Sequence, residues 1–125
     1  NVTTDLINSG TEFNYIFANN DMMAQGCYNA LKDAGKENIP IVSTGGSPDG
    51  FKMLQDGIEA ANMTAPVSIQ GVKTFMNLYN KVALGEDPAE KFTALPVIPV
   101  SADDTSSYIA WDDYAAAYKY LGENK

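Results

Sequence analysis

Histidine and arginine are both missing from the 125 residues, and cysteine occurs once, at Cys27. Without histidine the chain cannot build a Ser-His-Asp triad, a Cys-His pair or a histidine-based zinc site. Without arginine it has no planar fork for bidentate capture of a carboxylate or phosphate. A lone cysteine forms neither an internal disulfide nor a multi-cysteine metal site, and a small, buried apolar role suits it. No apolar run approaches the roughly 20 residues needed to span a bilayer, and there is no signal-peptide pattern. The chain opens at Asn1 rather than Met, so it is expected to be a mature or excised piece whose targeting segment lies elsewhere.

Positive charge is also scarce. Eight lysines stand against 16 acidic residues, a net charge of −8. Such a surface repels phosphate backbones and anionic membranes, which argues against nucleic acid as a partner. Hydrophobic residues make up 45%, enough for one core, and the length suits a single domain over 1–125.

The pattern along the chain alternates. Residues 2–6 read as the tail of a helix, and 8–12 as a polar turn around Gly10. Residues 13–18 are nearly all apolar, as in a strand buried on both faces. A helix follows, with Met23, Cys27, Ala30, Leu31 and Ala34 on one face at helical period; Asn20 or Asp21 caps its start and Gly35 its end. Residues 39–44 form a second strand. Ser47-Pro48-Asp49 then supplies a cap, a proline at the first helical position and an acid in the first turn. That helix runs through 51–55 and stops at Asp56-Gly57. Residues 60–64 make a third strand. Pro66 opens a long helix with a face of Val72, Phe75, Met76, Tyr79, Val82 and Ala83, closed by Gly85; Phe75 and Tyr79 read as core. Residues 95–100 are extended but broken by Pro96 and Pro99, hence an edge strand or a crossing segment. A last helix spans about 111–120. The segment GEDPAE (85–90) is too short to divide domains. This alternation predicts an α/β fold, a parallel sheet flanked by helices.

Open parallel sheets bind ligands beyond the carboxyl ends of their strands. Three such ends are readable: Ala18 to Asp21, Thr44 to Ser47, and Met63 to Pro66. They place two carboxamides, a carboxylate, hydroxyls and glycine-freed backbone on one rim. A carboxamide both donates and accepts, which suits a polyol. Each residue also has a plainer role. Capping accounts for Asn20 as well as ligand contact does, and a helix-start charge accounts for Asp21. Gly45 and Gly46 lack the Lys and Ser/Thr of a phosphate loop. Asp103 and Asp104 lack the spacing of an EF-hand loop and read as a solvated turn. Trp111 reads either as packed under the last helix or as exposed at an interface. No metal site or cofactor is expected, and no nucleophile–base pair accompanies the carboxylates, so enzymatic activity is not expected.

The run "IFANNDMMAQGCYNALKDAGKENIPIVSTGGSPDGFKMLQDGIEAANMTAPVSIQGVKT" carries several elements in order. Asn20-Asp21 is followed by Ala24 and Gly26; Ala34-Gly35-Lys36 ends the helix; Gly46-Ser47-Pro48-Asp49 follows a strand; Asp56-Gly57 precedes the next. In this combination the chain resembles the C-terminal lobe of type I periplasmic sugar-binding proteins, the ribose- and galactose-binding group that feeds ABC importers. The likeness covers roughly residues 13–100.

The resemblance implies a two-lobe clamshell closing over a sugar or similar polar solute, without catalysis. It implies ligand contacts at Asn20, at the second strand end (Thr44, Gly45) and at the third (Thr64, Ala65), with Asp21 beside them. Where the family usually has Asp and Gln or Asn at the last two ends, this chain has Gly45 and Ala65, with Thr44 and Thr64 as nearby substitutes. Residues 95–101 resemble a hinge crossing and 111–120 the closing helix. The implied partners are a carbohydrate, the permease of an ABC importer and the remainder of the binding protein. The implied location is periplasmic or extracellular, lipid-anchored at the surface in a Gram-positive cell. LacI-type regulators share the two-lobe core; the direct run of Lys36 to Pro40 into the strand favours the transporter type.

Overall fold

The computed structural model describes residues 2–88 and 90–123, so Asn1 and Ala89, which fall in the opening residue and the 85–90 segment considered above, lie outside it. Among the described residues the order is α1 (Val2–Asn8), β1 (Ile16–Phe17), α2 (Asp21–Asp33), β2 (Ile41–Gly45), α3 (Pro48–Gln55), β3 (Glu59–Thr64) and α4 (Val67–Tyr79). A π-helical turn (Asn80–Leu84) continues α4, and β4 (Ile98–Ser101) and α5 (Tyr114–Glu123) close the chain. The sheet order is β1-β2-β3-β4. The first three strands are parallel, while β4 runs antiparallel to β3. The sheet is thus mixed and mostly parallel.

Residues 95–101 therefore end in an edge strand, and α5 packs beside it, with Ala117 in one cluster with Ile98, Val100, Leu54 and Ile69. A second cluster joins Ala18, Ala24, Leu31, Ile41 and Met53. Leu31 and Ile41 are fully buried, each contributing about 2 kcal/mol of transfer free energy.

Three apolar readings are corrected. The buried face of α2 is Ala24, Ala30 and Leu31, with Cys27 half-buried, whereas Met23 and Ala34 are exposed. On α4, Ile69 is buried, with Val72 packed beside it in the same cluster. Phe75 and Tyr79, 67% and 53% exposed, stack on each other outside it. The apolar stripe of this helix is wider than the surface that covers it. Finally, β1 is only two residues long and Phe17 is 60% exposed, because β1 is an edge strand with a neighbour on one side only.

Candidate functional site at the strand ends

Because β1, β2 and β3 are parallel neighbours, their carboxyl ends lie together. Two hydrogen bonds stitch them. Thr44 Oγ1 donates to Asn19 O at 3.1 Å, and Ala65 N donates to Gly45 O at 3.0 Å. Asn20 sits exposed at the start of α2, where its Oδ1 accepts from Met23 N at 2.8 Å. This cap leaves the NH2 of Asn20 without a described partner. Thr44, Gly45 and Ala65 are partly exposed beside it.

The other two predicted site residues turn inward. Thr64 is fully buried, and its hydroxyl donates to Ile98 O at 2.8 Å. A Cβ on Gly46 would fall 2.7 Å from its Cγ2, so the glycine lies directly over it. Asp21 is 6% exposed and accepts three hydrogen bonds. Its Oδ2 takes Ser47 N at 2.7 Å; its Oδ1 takes Asn62 Nδ2 at 2.7 Å and lies 3.1 Å from Ser43 Oγ. Gly45 has φ +129°, open to glycine and costly for other residues, and a Cβ there would sit 2.9 Å from Asp21 Oδ2. The missing side chain at 45 is therefore built into the turn.

Below the rim lies a polar cluster that sequence reasoning missed. Glu59, Ser43 and Asn62 are all fully buried. Ser43 Oγ is 2.9 Å from Glu59 Oε1, and Asn62 Nδ2 is 3.0 Å from Glu59 Oε2 and 2.8 Å from Ser43 Oγ. The register explains how two residues three apart share one face. Ile41 pairs Glu59 but Val42 pairs Ala61, so β3 carries one extra residue there. Such a bulge shifts the alternation by one. Glu59 and Asn62 thus lie opposite Ile41 and Ser43. Burial pushes the Glu59 carboxyl above its usual range, hydrogen bonds from Asn62 and Ser43 oppose this, and the charge of Asp21 adds to the rise.

Sequence reasoning also missed a strap, residues 102–113, crossing the second strand end. Tyr108 stacks on Phe51 with centroids 3.8 Å apart and donates its hydroxyl to Gly46 O at 3.1 Å. Burial, then the charges of Asp21 and Asp112, push the Tyr108 phenol upward. The half-buried Trp111 donates Nε1–H to Gly45 O at 3.4 Å, and Ser68 Oγ holds Ala110 O at 3.0 Å. The alternatives for Trp111 thus resolve to packing over the Gly45 corner. Asp104, in the turn that opens the strap, accepts from Ser106 N at 2.9 Å, and its carboxyl is held below the usual range by the Ser106 hydrogen bonds. No group of metal-ligating side chains occurs among the described residues.

No family model matches the chain. It is 35% identical over 95 residues to the ribose import binding protein of Escherichia coli, covering 74% of this chain and 31% of that protein. Its counterpart in Haemophilus influenzae is 38% identical over 71 residues, covering 57% and 24%. The chain spans less than a third of the length of these relatives. Among solved structures, a galactofuranose binding protein superposes with a TM-score of 0.70 at 26% identity, covering 98% of this chain and 38% of that one. A solute binding protein of an ABC transporter from Bacillus halodurans, with bound myo-inositol, gives 0.72 at 22% identity, covering 98% and 38%; at that identity it speaks for the fold alone. The chain is similar to type I periplasmic sugar-binding proteins, and its lobe has their α/β fold.

Proposed function

We propose that this chain is part of one lobe of the solute-binding component of an ABC importer, which takes up a sugar or related polyol without catalysis. The observation that carries this is the convergence of Asn20, Thr44, Gly45 and Ala65 at one end of three parallel strands, in a relative of ribose import binding proteins. The free carboxamide NH2 of Asn20, the Thr44 hydroxyl and the main chain at Gly45 and Ala65 supply hydrogen bonds to ligand hydroxyls. Asp21 and Thr64 act from behind: Asp21 fixes the start of α3 through Ser47 N, and Thr64 fixes the end of β3 against β4. Gly45 stands where the family's strand-end Asp would, so position 45 itself adds no charge to the lip.

The second lobe of the clamshell would belong to the rest of the polypeptide, and closure would trap the solute. The permease of the importer is the protein partner, at the periplasmic or outer face of the membrane, with a lipid anchor in a Gram-positive cell. Nucleic acid is not a partner of so acidic a surface. Isothermal titration of the polypeptide carrying both lobes against pentoses, hexoses and inositols tests the proposal. Saturable heat with one class supports it; no heat with any of them rejects it.

A further inference from the structure

The polar cluster beneath the rim has more contacts than hydrogens. Five close pairs join Asp21, Ser43, Glu59 and Asn62. Ser43 brings one hydroxyl hydrogen and Asn62 two amide hydrogens, three in all. Two carboxylates bring none. With both ionised, one Ser43 hydrogen faces Asp21 Oδ1 and Glu59 Oε1 at once, and one of these charged oxygens goes without it. Among the described residues no cation relieves them. On β3 and β2 the neighbours are Asn62 and Ser43, on α2 it is Asp21, and the pairing stretch of β4 carries no charge. The lysine of α3, Lys52, turns outward to Asp56 at 2.7 Å. Tyr108 lies on the strap over Gly46 and is no cation either.

We infer that Glu59 is a protonated positioning residue: its carboxyl O–H donates to Ser43 Oγ, so that the Ser43 hydroxyl turns to Asp21, whose other oxygen holds Ser47 N at the lip. A fourth hydrogen then serves the cluster. Glu59 donates to Ser43, Ser43 donates to Asp21, and Asn62 donates to Asp21 and Glu59 Oε2. Asp21 receives three donors, from Ser47 N, Asn62 and Ser43. The direction of the Glu59 shift, upward through burial, agrees with this arrangement. The lip's role in solute binding rests on the function proposed above; the proton on Glu59 does not.

The sign of the pH effect follows. A carboxyl with a raised folded pKa holds its proton more tightly folded than unfolded. Its stabilising contribution is fully present below the ordinary glutamate value of 4.5 and is lost as pH rises through the folded value.

The test is a carbon-detected carboxyl titration of the whole chain without any sugar, with Ser47 amide shifts followed in the same samples. At roughly pH 6, where an exposed glutamate is ionised, the Glu59 carboxyl is expected at its protonated position. It should ionise only at higher pH, and the Ser47 amide should move with it. Glu59→Gln, which keeps two polar termini without a charge, should abolish that Ser47 movement and flatten the fall in urea midpoint on the alkaline side. A Glu59 carboxyl already ionised at roughly pH 6 overturns the inference. A Ser47 amide indifferent to the Glu59 titration overturns the positioning role. Should Glu59→Gln fail to fold, the wild-type titration alone decides both points. Solute binding enters neither readout, so the outcome is independent of whether a sugar ligand is found.

Discussion

Asp21 Oδ2 accepts the Ser47 amide hydrogen at 2.7 Å, tying the first turn of α2 to the N-cap of α3 across 26 residues of chain. The same carboxylate receives Asn62, with Ser43 at 3.1 Å. Two helix starts and two strands are thus referred to one buried side chain. Both helix starts also present their own caps, Asn20 to Met23 N and Ser47 to Gly50 N.

Removing that carboxylate leaves the Ser47 amide without its acceptor and takes one acceptor from each of Asn62 and Ser43, which keep Glu59. Asp21→Ala is expected to lower stability by about 3 kcal/mol, since buried hydrogen-bonding groups left unpaired each cost about 1–3 kcal/mol. The midpoint of urea unfolding, followed by circular dichroism, measures this. A loss below about 1 kcal/mol would mean that solvent satisfies the cluster.

Helical glycines give opposite expectations on α2 and α3. A Cβ at Gly50 would sit 2.6 Å from both oxygens of Asp21, which hydrogen bonds pin in place, whereas one at Gly26 meets nothing within 4 Å. Gly50→Ala should destabilise by about 1–3 kcal/mol through overpacking. Gly26→Ala should stabilise by up to about 1 kcal/mol through helix propensity. Equal changes at the two sites in thermal melts would argue against a fixed Asp21.

Restoring the family's strand-end acid tests the reading of the second strand end. Gly45→Asp places a side chain at φ +129° and 2.9 Å from Asp21 Oδ2. It should lose stability, by roughly 1–3 kcal/mol for the backbone conformation alone, and gain no sugar affinity. Tighter sugar binding by a stable Gly45→Asp protein would show that the turn adapts, contrary to this account.

Asn20 combines a cap and a ligand group, and two substitutions separate them. Asn20→Ala should cost about 1 kcal/mol in stability through the lost cap. Asn20→Asp keeps the cap and removes the free NH2. Its stability should hold while sugar affinity falls about tenfold, the scale of one hydrogen bond. Unfolding curves and calorimetric titration, run side by side, check the pair of outcomes.

Much of the fold was readable because its signals are local. The Ser47-Pro48-Asp49 start and the Asp56-Gly57 stop mark α3 almost to the residue. The strand-end rim followed from alternation and a parallel sheet. What stayed hidden depends on contacts distant in sequence. Glu59, just before the strand read from residue 60, drew no reading of its own; the extra residue in β3 turns it under Ser43. Asp21 and Asn20 are adjacent short polar residues, and only the helix direction decides which faces the core. Tyr108 reaches Gly46 across 62 positions, a pairing that no spacing rule encodes. Phe75 and Tyr79 were misread because periodicity reports an apolar face without saying how much of it is covered.

Residue-by-residue amide mapping of sugar binding probes the central claim most directly. Proton–nitrogen spectra of the labelled polypeptide carrying both lobes are recorded during titration with ribose, galactose and myo-inositol. The account predicts saturable shifts confined to Asn20, Thr44, Gly45, Gly46, Ser47 and Ala65 with at least one of them. Shifts centred instead on the opposite ends of the strands, around Lys36 to Ile39 and Gly57 to Ile58, would contradict it, as would spectra unchanged by every sugar.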